Sequence, residues 1–177
     1  MNSDLKHWIN ANLQSQKGKT ILVTGGNSGI GYYAALALAK VGADVIIAGR
    51  NAKRVDQAVR DIKAEGIEGS INAGIVDLAS LKSVQEYAEQ FRTKYSRLDV
   101  LINNAGVMMP PEGATEDGFE SQFGINFIGH FALTGRLYDM LKSTPGSRVV
   151  TLSSIAHRGA QIDFDNLRLE KPYDTRR

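Results

Sequence analysis

Short apolar runs alternate with amphipathic segments along the chain from Lys19 onward. Between most of the runs, apolar residues recur every three or four positions, as on the buried stripe of an α-helix. Apolar strands separated by amphipathic helices predict a parallel sheet with helices on both faces. The five predicted strands are Ile21–Val23, Val45–Ala48, Ile71–Val76, Val100–Ile102 and Val149–Leu152.

The predicted helices carry local start and stop signals. Gly42 and Gly66 follow the first two helical patterns, where glycine commonly ends a helix. Ser80 is a suitable cap for the third helix. A long apolar segment from Phe119 to Leu141 precedes the fifth strand. With right-handed crossovers, this alternation predicts an α/β fold: a doubly wound, Rossmann-type sheet with strand order 3-2-1-4-5.

A glycine-rich segment, Thr24–Gly31, joins the first predicted strand to the first predicted helix. In doubly wound sheets, ligands bind beyond the carboxyl ends of the strands. Glycine permits backbone angles and close approaches that a Cβ atom forbids, and a helix N-terminus presents free N–H groups to a pyrophosphate. The alternative is a tight turn that binds nothing. The position of the glycine-rich segment between a strand and a helix favours a dinucleotide-binding site.

Composition narrows the function classes. The 177 residues suffice for one domain, and 21 Lys+Arg against 19 Asp+Glu leave a net charge of +2, too small to indicate nucleic acid or an acidic membrane as partner. The chain has no cysteine, which excludes disulfides and thiolate metal sites. His7, His130 and His157 are scattered, so no metal site is predicted. His130 is expected to pack inside the long helix, and His157 to lie near the mouth of the cleft.

The pattern of the N-terminal residues predicts a helix rather than a signal peptide. Residues 1–13 lack the continuous apolar core of a signal peptide, and nothing in the chain approaches the ~20 apolar residues of a membrane span. We therefore expect a soluble, cytoplasmic protein. Ser3 is a possible cap, and residues 1–18 are predicted to form a helical extension before a domain at 19–177. The alternative is a membrane or partner anchor. One helical face carries Leu5, Trp8, Ile9 and Leu13.

Five short motifs lie at or beyond the ends of the predicted strands: Thr24–Gly31, Asp77-Leu78, Asn103–Gly106, Asn126 and Ser153-Ser154. They occur in the order and contexts found in short-chain dehydrogenases/reductases, and the chain resembles that family from Lys19 onward. Two segments, Asn126–Phe131 and Ser153–His157, look most like the branch of retinol dehydrogenases and WW-domain-containing oxidoreductases.

The resemblance implies an oxidoreductase that transfers hydride between a nicotinamide cofactor and an alcohol or carbonyl substrate. Ser154 matches the serine that bonds the substrate oxygen, and Asn126 matches the asparagine of a water relay. The alternatives are a strand-end turn residue for Ser154 and a buried amide bonded to backbone for Asn126. Family members commonly pair through helices, which implies a homo-oligomer. The expected cofactor-binding residues are Gly25, Asn27, Ser28, Gly29, Ile30, Gly31, Arg50, Asp77, Leu78, Asn104, Ala105 and Gly106.

The end of the second strand predicts which cofactor is preferred. An acid about twenty residues past the glycines bonds the ribose 2′-hydroxyl of NAD(H), and the segment Ala48–Asn51 contains none. The Arg50 guanidinium suits a 2′-phosphate, and Asn27 lies close enough in the family fold to assist, so NADP(H) is preferred and NAD(H) remains possible. Arg50 as a solvated surface residue is the alternative. Asp77 is expected to accept from the adenine amino group, or else to serve only as a turn residue.

The Tyr-x-x-x-Lys pair of the family is missing, because Arg177 stands four positions after Tyr173. Residues 162–167 and 170–173 resemble the insertion that precedes the catalytic tyrosine in the retinol-dehydrogenase branch. Our hypothesis is that Tyr173 is a bystander and that the domain is incomplete at its C-terminus. A catalytically silent dinucleotide-binding sensor or scaffold is the alternative. Residues 108–110 follow the fourth strand and suit either an apolar substrate entrance or packing in the core or at the rim of the cleft.

Overall fold

The computed structural model describes residues 3–159 and 161–173. Five strands form one sheet in the order β3-β2-β1-β4-β5, and each neighbouring pair is parallel. Strand order and direction are as predicted, and each predicted strand agrees with an observed one to within one residue at either end. The strands are β1 Thr20–Thr24, β2 Asp44–Gly49, β3 Ser70–Ile75, β4 Val100–Asn103 and β5 Arg148–Thr151.

Helices connect these strands in the predicted places. The predicted apolar segment from Phe119 to Leu141 is a helix in three parts, of which the middle one is a π-helix, here called the π segment (Gly124–Ile128). A short 3₁₀ turn, Ile155–His157, follows β5. The helices are α1 Ser3–Asn12, α2 Gly29–Lys40, α3 Ala52–Ala64, α4 Leu81–Lys94, α5 Ser121–Phe123 and α6 Gly129–Ser143.

The predicted helix ends are confirmed by their geometry. Gly42 and Gly66 have φ of +94° and +68°, the left-handed region in which glycine avoids the cost of a Cβ atom. The Ser80 hydroxyl accepts a hydrogen bond from the Ser83 N–H at 3.3 Å, which satisfies one free donor of α4. Asn51, which the sequence did not single out, caps α3 by accepting from the Arg54 N–H at 3.1 Å.

The core has two parts, one on each face of the sheet. Side chains of β1 alternate between them, because successive residues of a strand point to opposite faces. Leu22 packs in a cluster that includes α4 and α6 residues, while Ile21 and Val23 pack in a cluster that includes α2 and α3 residues. All five residues of β1 are buried. In contrast, all four residues of β5 are exposed, so the predicted helical cover does not extend to that strand among the described residues.

The N-terminal helix forms, with two differences from the prediction. Ser3 is its first residue rather than a preceding cap, and Trp8 is exposed whereas Ile9 is buried. The side chain of Leu5 lies outside the described residues. The Gln16 N–H donates to the Val41 carbonyl at 2.7 Å, which ties the segment after α1 to the end of α2. The boundary at residue 18 stays a prediction. Of the helices that the structure describes, none has the length and apolar content that a bilayer crossing requires.

Candidate functional site

The glycine turn lies between β1 and α2, as predicted. Gly25 and Gly29 adopt φ of +67° and +55°. A Cβ atom on Gly31 would come within 2.6 Å of the Gly25 carbonyl oxygen, and one on Gly25 within 2.9 Å of the Ala105 Cα. The turn therefore requires glycine for backbone conformation at two positions and for close packing at Gly31.

Thr24 joins this turn to the loop after β4. Its hydroxyl oxygen accepts hydrogen bonds from the backbone N–H groups of Asn104 and Ala105, at 2.9 and 3.0 Å. The Asn104 side-chain amide donates to the Thr24 carbonyl at 2.8 Å. These bonds place the predicted segment Asn104–Gly106 directly beside the glycine turn. We did not single out the Thr24 side chain from the sequence, although its place at the end of a buried strand was the available signal.

A cleft of about 400 Å³ opens at the carboxyl ends of the strands. Eleven of the twelve expected cofactor-binding residues line it, and Gly29 is the one that does not. The eleven are Gly25, Asn27, Ser28, Ile30, Gly31, Arg50, Asp77, Leu78, Asn104, Ala105 and Gly106. The topology therefore brings residues from four separate loops to one edge of the sheet, where strand order reverses.

The cleft also contains residues that the sequence did not single out. Arg54 is notable among them, because it adds a second guanidinium near Arg50. The available signal was the four-residue spacing of the two arginines, but the start of α3 had to be known before that spacing meant proximity. The other missed residues are Ala48, Gly49, Asn51, Val76, Val107, Ile125 and Leu152.

The end of β2 has little free space for a side chain at position 49. A Cβ atom on Gly49 would lie 2.9 Å from the Asn27 Oδ1 and 3.2 Å from a Val55 methyl group. Arg50 and Arg54 are both exposed and line the cleft. Within residues 3–159 and 161–173, neither guanidinium has a hydrogen-bond or ion-pair partner. This part of the cleft therefore carries two positive charges, which suit an anionic ligand.

Asp77 has a role in the turn after β3 as well as a place in the cleft. Its Oδ1 accepts from the Ala79 N–H at 2.9 Å, and its own N–H donates to the Ser83 hydroxyl at 3.0 Å. The turn that the alternative interpretation required is thus present. Because the carboxylate also lines the cleft, the two interpretations are compatible.

Asn126 lies in the π segment, and its amide group is bonded to the loop after β4. Its Oδ1 accepts from the Val107 N–H at 2.8 Å, and its Nδ2 donates to the Val107 carbonyl at 2.9 Å. The residue is exposed, so the alternative of a buried amide is wrong about burial and right about backbone bonding. Asn126 does not line the cleft, but its neighbour Ile125 does.

His130 packs inside the long helix, as expected. Its ring is 4% exposed and is bonded at both nitrogens, with Nε2 2.8 Å from the Thr24 hydroxyl and Nδ1 3.0 Å from the Asn126 carbonyl oxygen. Burial lowers the pKa of His130 below its ordinary value, and the bond to the Asn126 carbonyl partly opposes that shift.

Ser154 starts the 3₁₀ turn after β5. Its hydroxyl oxygen accepts from the Ala156 N–H at 3.1 Å, and the residue is exposed. Like Asn126, it does not line the cleft, although Leu152 two residues earlier does. His157 ends the same turn and is exposed. The structure therefore places Ser154 two residues from the cleft wall with one acceptor position occupied by backbone.

Tyr173 is engaged elsewhere. Its hydroxyl donates to the Pro110 carbonyl at 2.8 Å. Desolvation raises the pKa of Tyr173, and the carboxylates of Glu120 and Glu112 raise it further, which is the wrong direction for a phenol that must give up a proton. Arg177 lies outside the described residues.

The two methionines after Val107 are at the surface. Met108 is 83% exposed and Met109 is 51% exposed, so core packing is wrong for both, whereas the substrate entrance and rim packing stay predictions. They follow the cleft residue Val107 directly in the chain.

The described part of the chain contains no group of three or more His, Asp or Glu side chains arranged to hold a metal ion.

A family model described as short chain dehydrogenase matches residues 19–164. The chain belongs to this family. Human retinol dehydrogenase 13 is 48% identical over 160 residues, covering 90% of this chain and 48% of that protein. Human polyprenol dehydrogenase is 45% identical over 159 residues, covering 88% and 48%. The resemblance to retinol dehydrogenases is thus confirmed. The chain spans about half the length of the curated relatives it matches.

Solved protein structures share this fold. A crystal structure of a protein from Mycobacterium paratuberculosis superposes with a TM-score of 0.80 at 39% identity, covering 94% of this chain and 57% of that one. The NADP active-site complex of RhlG from Pseudomonas aeruginosa superposes with a TM-score of 0.71 at 28% identity, covering 88% and 62%. These likenesses agree with the observed strand order and confirm the Rossmann-type architecture.

Proposed function

We propose that this chain is the dinucleotide-binding part of an NADP(H)-dependent oxidoreductase that interconverts an alcohol and a carbonyl compound. The observation that carries the proposal is the cleft itself. One wall is a glycine turn too tightly packed for side chains at Gly25 and Gly31, and one corner holds two guanidinium groups without partners among the described residues. A pyrophosphate suits the first feature and a 2′-phosphate suits the second.

Charge supports NADP(H) over NAD(H). The ribose hydroxyls of NAD(H) are bonded by an acid at the end of the second strand in many Rossmann folds. Gly49 occupies that place, so no carboxylate is present there, and a side chain at this position would have to displace the Asn27 side chain. Arg50 and Arg54 then supply up to two charge-assisted contacts to a 2′-phosphate, each worth ~1.5–3 kcal/mol. RhlG, whose structure is an NADP active-site complex, has the same fold.

The proposed chemistry divides between cofactor and protein. When bound, the nicotinamide group would donate a hydride to a carbonyl carbon or accept one from an alcohol carbon. Ser154 accepts from the Ala156 N–H, so its hydroxyl proton is free to bond a substrate carbonyl oxygen, and we assign it that role. Asn126 has both side-chain polar atoms bonded to Val107. These bonds hold the side chain against the loop after β4, and we assign to its main-chain carbonyl any part that Asn126 takes in a proton relay.

An apolar alcohol or aldehyde is the proposed substrate class. The exposed side chains of Met108 and Met109 follow the cleft residue Val107, and Leu152 lines the cleft on the β5 side. Burying such side chains against an apolar chain contributes about 25 cal/mol per Å². The names of the relatives, retinol and polyprenol dehydrogenase, describe apolar alcohols. The homo-oligomer implied by family resemblance stays a prediction.

The cofactor proposal is tested by titrating the chain with NADPH and with NADH. We expect NADPH to bind more tightly, and Arg50→Ala to weaken NADPH binding by about tenfold or more while leaving NADH nearly unchanged. Arg54→Ala should have a smaller effect in the same direction. Lys53→Ala is the matched control, since it removes an exposed positive charge from the same turn of α3 without touching the cleft. Equal affinities for the two dinucleotides in the unmodified chain would refute the proposal.

A second measurement separates cofactor binding from turnover. We expect the 177-residue chain to bind NADPH without reducing an apolar aldehyde such as retinal, because the Tyr173 hydroxyl is bonded to Pro110 and its pKa is raised. The readout is loss of NADPH absorbance. If reduction occurs and is abolished by Tyr173→Phe, then Tyr173 is the acid and its assignment as a bystander is wrong. If it occurs and survives that substitution, another group donates the proton.

A further inference from the structure

His130 connects two parts of the site that are far apart in the sequence. Thr24 ends β1, and Asn126 lies in the π segment; the His130 ring is bonded to both. The ring is buried, so neither bond competes with bulk water.

The hydrogen-bonding partners determine which nitrogen carries the proton. The Asn126 carbonyl oxygen only accepts, so His130 Nδ1 must be protonated to bond it at 3.0 Å. In the neutral ring, Nε2 is then an acceptor, and the Thr24 hydroxyl donates to it at 2.8 Å.

Thr24 is arranged to be that donor. Its oxygen already accepts two backbone N–H groups, from Asn104 and Ala105, which use both lone pairs. Its proton therefore has two destinations, His130 Nε2 at 2.8 Å and the Ile102 carbonyl at 3.3 Å, of which the first is the shorter. A protonated ring would bring a third donor to the same oxygen, which is why the neutral ring fits.

Asn126 is held from two sides. Its side chain is bonded twice to Val107, and its main-chain carbonyl accepts from the His130 ring. The helix is wider here, since the Gly129 N–H bonds the Gly124 carbonyl five residues back. Such π turns are rare and occur often at functional sites, where local interactions must hold them.

We propose that His130 is a positioning residue, which fixes the main-chain carbonyl of Asn126 relative to the glycine turn through the Thr24 hydroxyl. Its effect on the reaction rests on the proposed function, whereas the hydrogen-bonded link does not. The link makes the π segment and the dinucleotide cleft one rigid unit. A core histidine that only fills space would stabilise the fold without this directional pattern.

Two substitutions each remove one of the two hydrogen bonds of His130 and keep the other. In His130→Asn, the Nδ2 amide replaces Nδ1 and keeps a donor for the Asn126 carbonyl, but nothing accepts the Thr24 proton. In His130→Gln, the Oε1 atom replaces Nε2 and keeps an acceptor for Thr24, but the donor to Asn126 is lost. Both variants are neutral amides, and His130→Leu removes both bonds.

The readouts are hydrogen–deuterium exchange in the π segment and NADPH affinity by titration. We expect His130→Gln to speed exchange at residues 124–128 by about tenfold and to keep NADPH affinity. We expect His130→Asn to keep that protection and to weaken NADPH binding several-fold, because the Thr24 hydroxyl turns away from the ring. Exchange in β2 should be unchanged in both. If His130 had a purely structural role, both variants would show faster exchange, weaker NADPH binding and a lower melting temperature together.

Nitrogen-15 NMR of the imidazole ring in the unmodified chain shows directly which ring nitrogen carries the proton, so this test needs no variant. We expect a neutral ring with the proton on Nδ1. A proton on Nε2, or equal exchange in the Asn and Gln variants, overturns the inference. If the unmodified chain does not bind NADPH, the proposed function fails, while exchange and NMR still decide whether the link exists.

Discussion

Strands β1 and β5 flank β4 on its two sides, yet they differ in burial. Val23 of β1 and Val150 of β5 are both paired in register with Ile102 of β4. Val23 has no exposed surface, whereas Val150 is 45% exposed. The two positions have the same residue, the same partner and the same strand direction. The difference teaches that burial depends on which elements cover the strand, and not on the apolar character of the strand itself.

The comparison is tested most directly by the same substitution on both strands. We expect Val23→Ala to lower the free energy of unfolding by about 2–3 kcal/mol, because two buried methyl groups are lost and leave a cavity. Val150→Ala should cost less than about 1 kcal/mol, because its methyl groups are half exposed. Urea unfolding measures both. Equal losses would mean that β5 is covered in solution by something outside the described residues.

Two glycine substitutions extend the comparison from the strands to the segments beside them, the glycine turn after β1 and helix α6 before β5. Gly31→Ala should destabilise the protein by about 1–3 kcal/mol and abolish NADPH binding, since its Cβ atom would collide with the Gly25 carbonyl. Gly135→Ala in α6 is the matched control. It has no neighbour within 4 Å of the new atom, so we expect a gain of about 0.5–1 kcal/mol from helix propensity. Unfolding midpoints and NADPH titration report the two effects; a Gly31→Ala protein that bound NADPH normally would contradict the packing argument.

The smallest expected effect is a pH dependence of stability. Burial lowers the pKa of His130 in the folded state, so the unfolded chain binds more protons at mildly acidic pH. The contribution of His130 is then fully present above the unfolded pKa of about 6.5 and is lost as pH falls below it. We expect His130→Gln to flatten this dependence. His157→Gln, at an exposed position in the turn after β5, should leave the pH dependence unchanged. Unchanged pH profiles in both would place the dependence elsewhere.

Much of the fold was predictable because its signals are local. Strand positions follow from apolar runs, and the helix ends at Gly42, Gly66 and Ser80 follow from residues suited to those conformations. The glycine turn was found in the same way. In contrast, the π segment was not predictable, since five residues of wider helix leave the apolar spacing almost unchanged.

The candidate site was predictable to the extent that it follows strand ends. Loops after β1, β2, β3 and β4 were expected to meet because parallel strands end at one edge. Arg54 was missed because its proximity to Arg50 depends on where α3 begins, and Val107 because the sequence does not specify the course of the loop beyond Gly106. The exposure of Asn126 and the bonding of Tyr173 to Pro110 likewise depend on how distant loops pack.

The sequence by itself determined the order of strands and helices and the place of the glycine turn, because conformational preference and the period of apolar residues act over a few neighbouring positions. Only the tertiary structure decided that β5 is exposed and that the His130 ring bonds Thr24, 106 residues away along the chain. Hydrogen bonds are directional and short, so such partners are specified only when the packed helices and sheet bring them within about 3 Å.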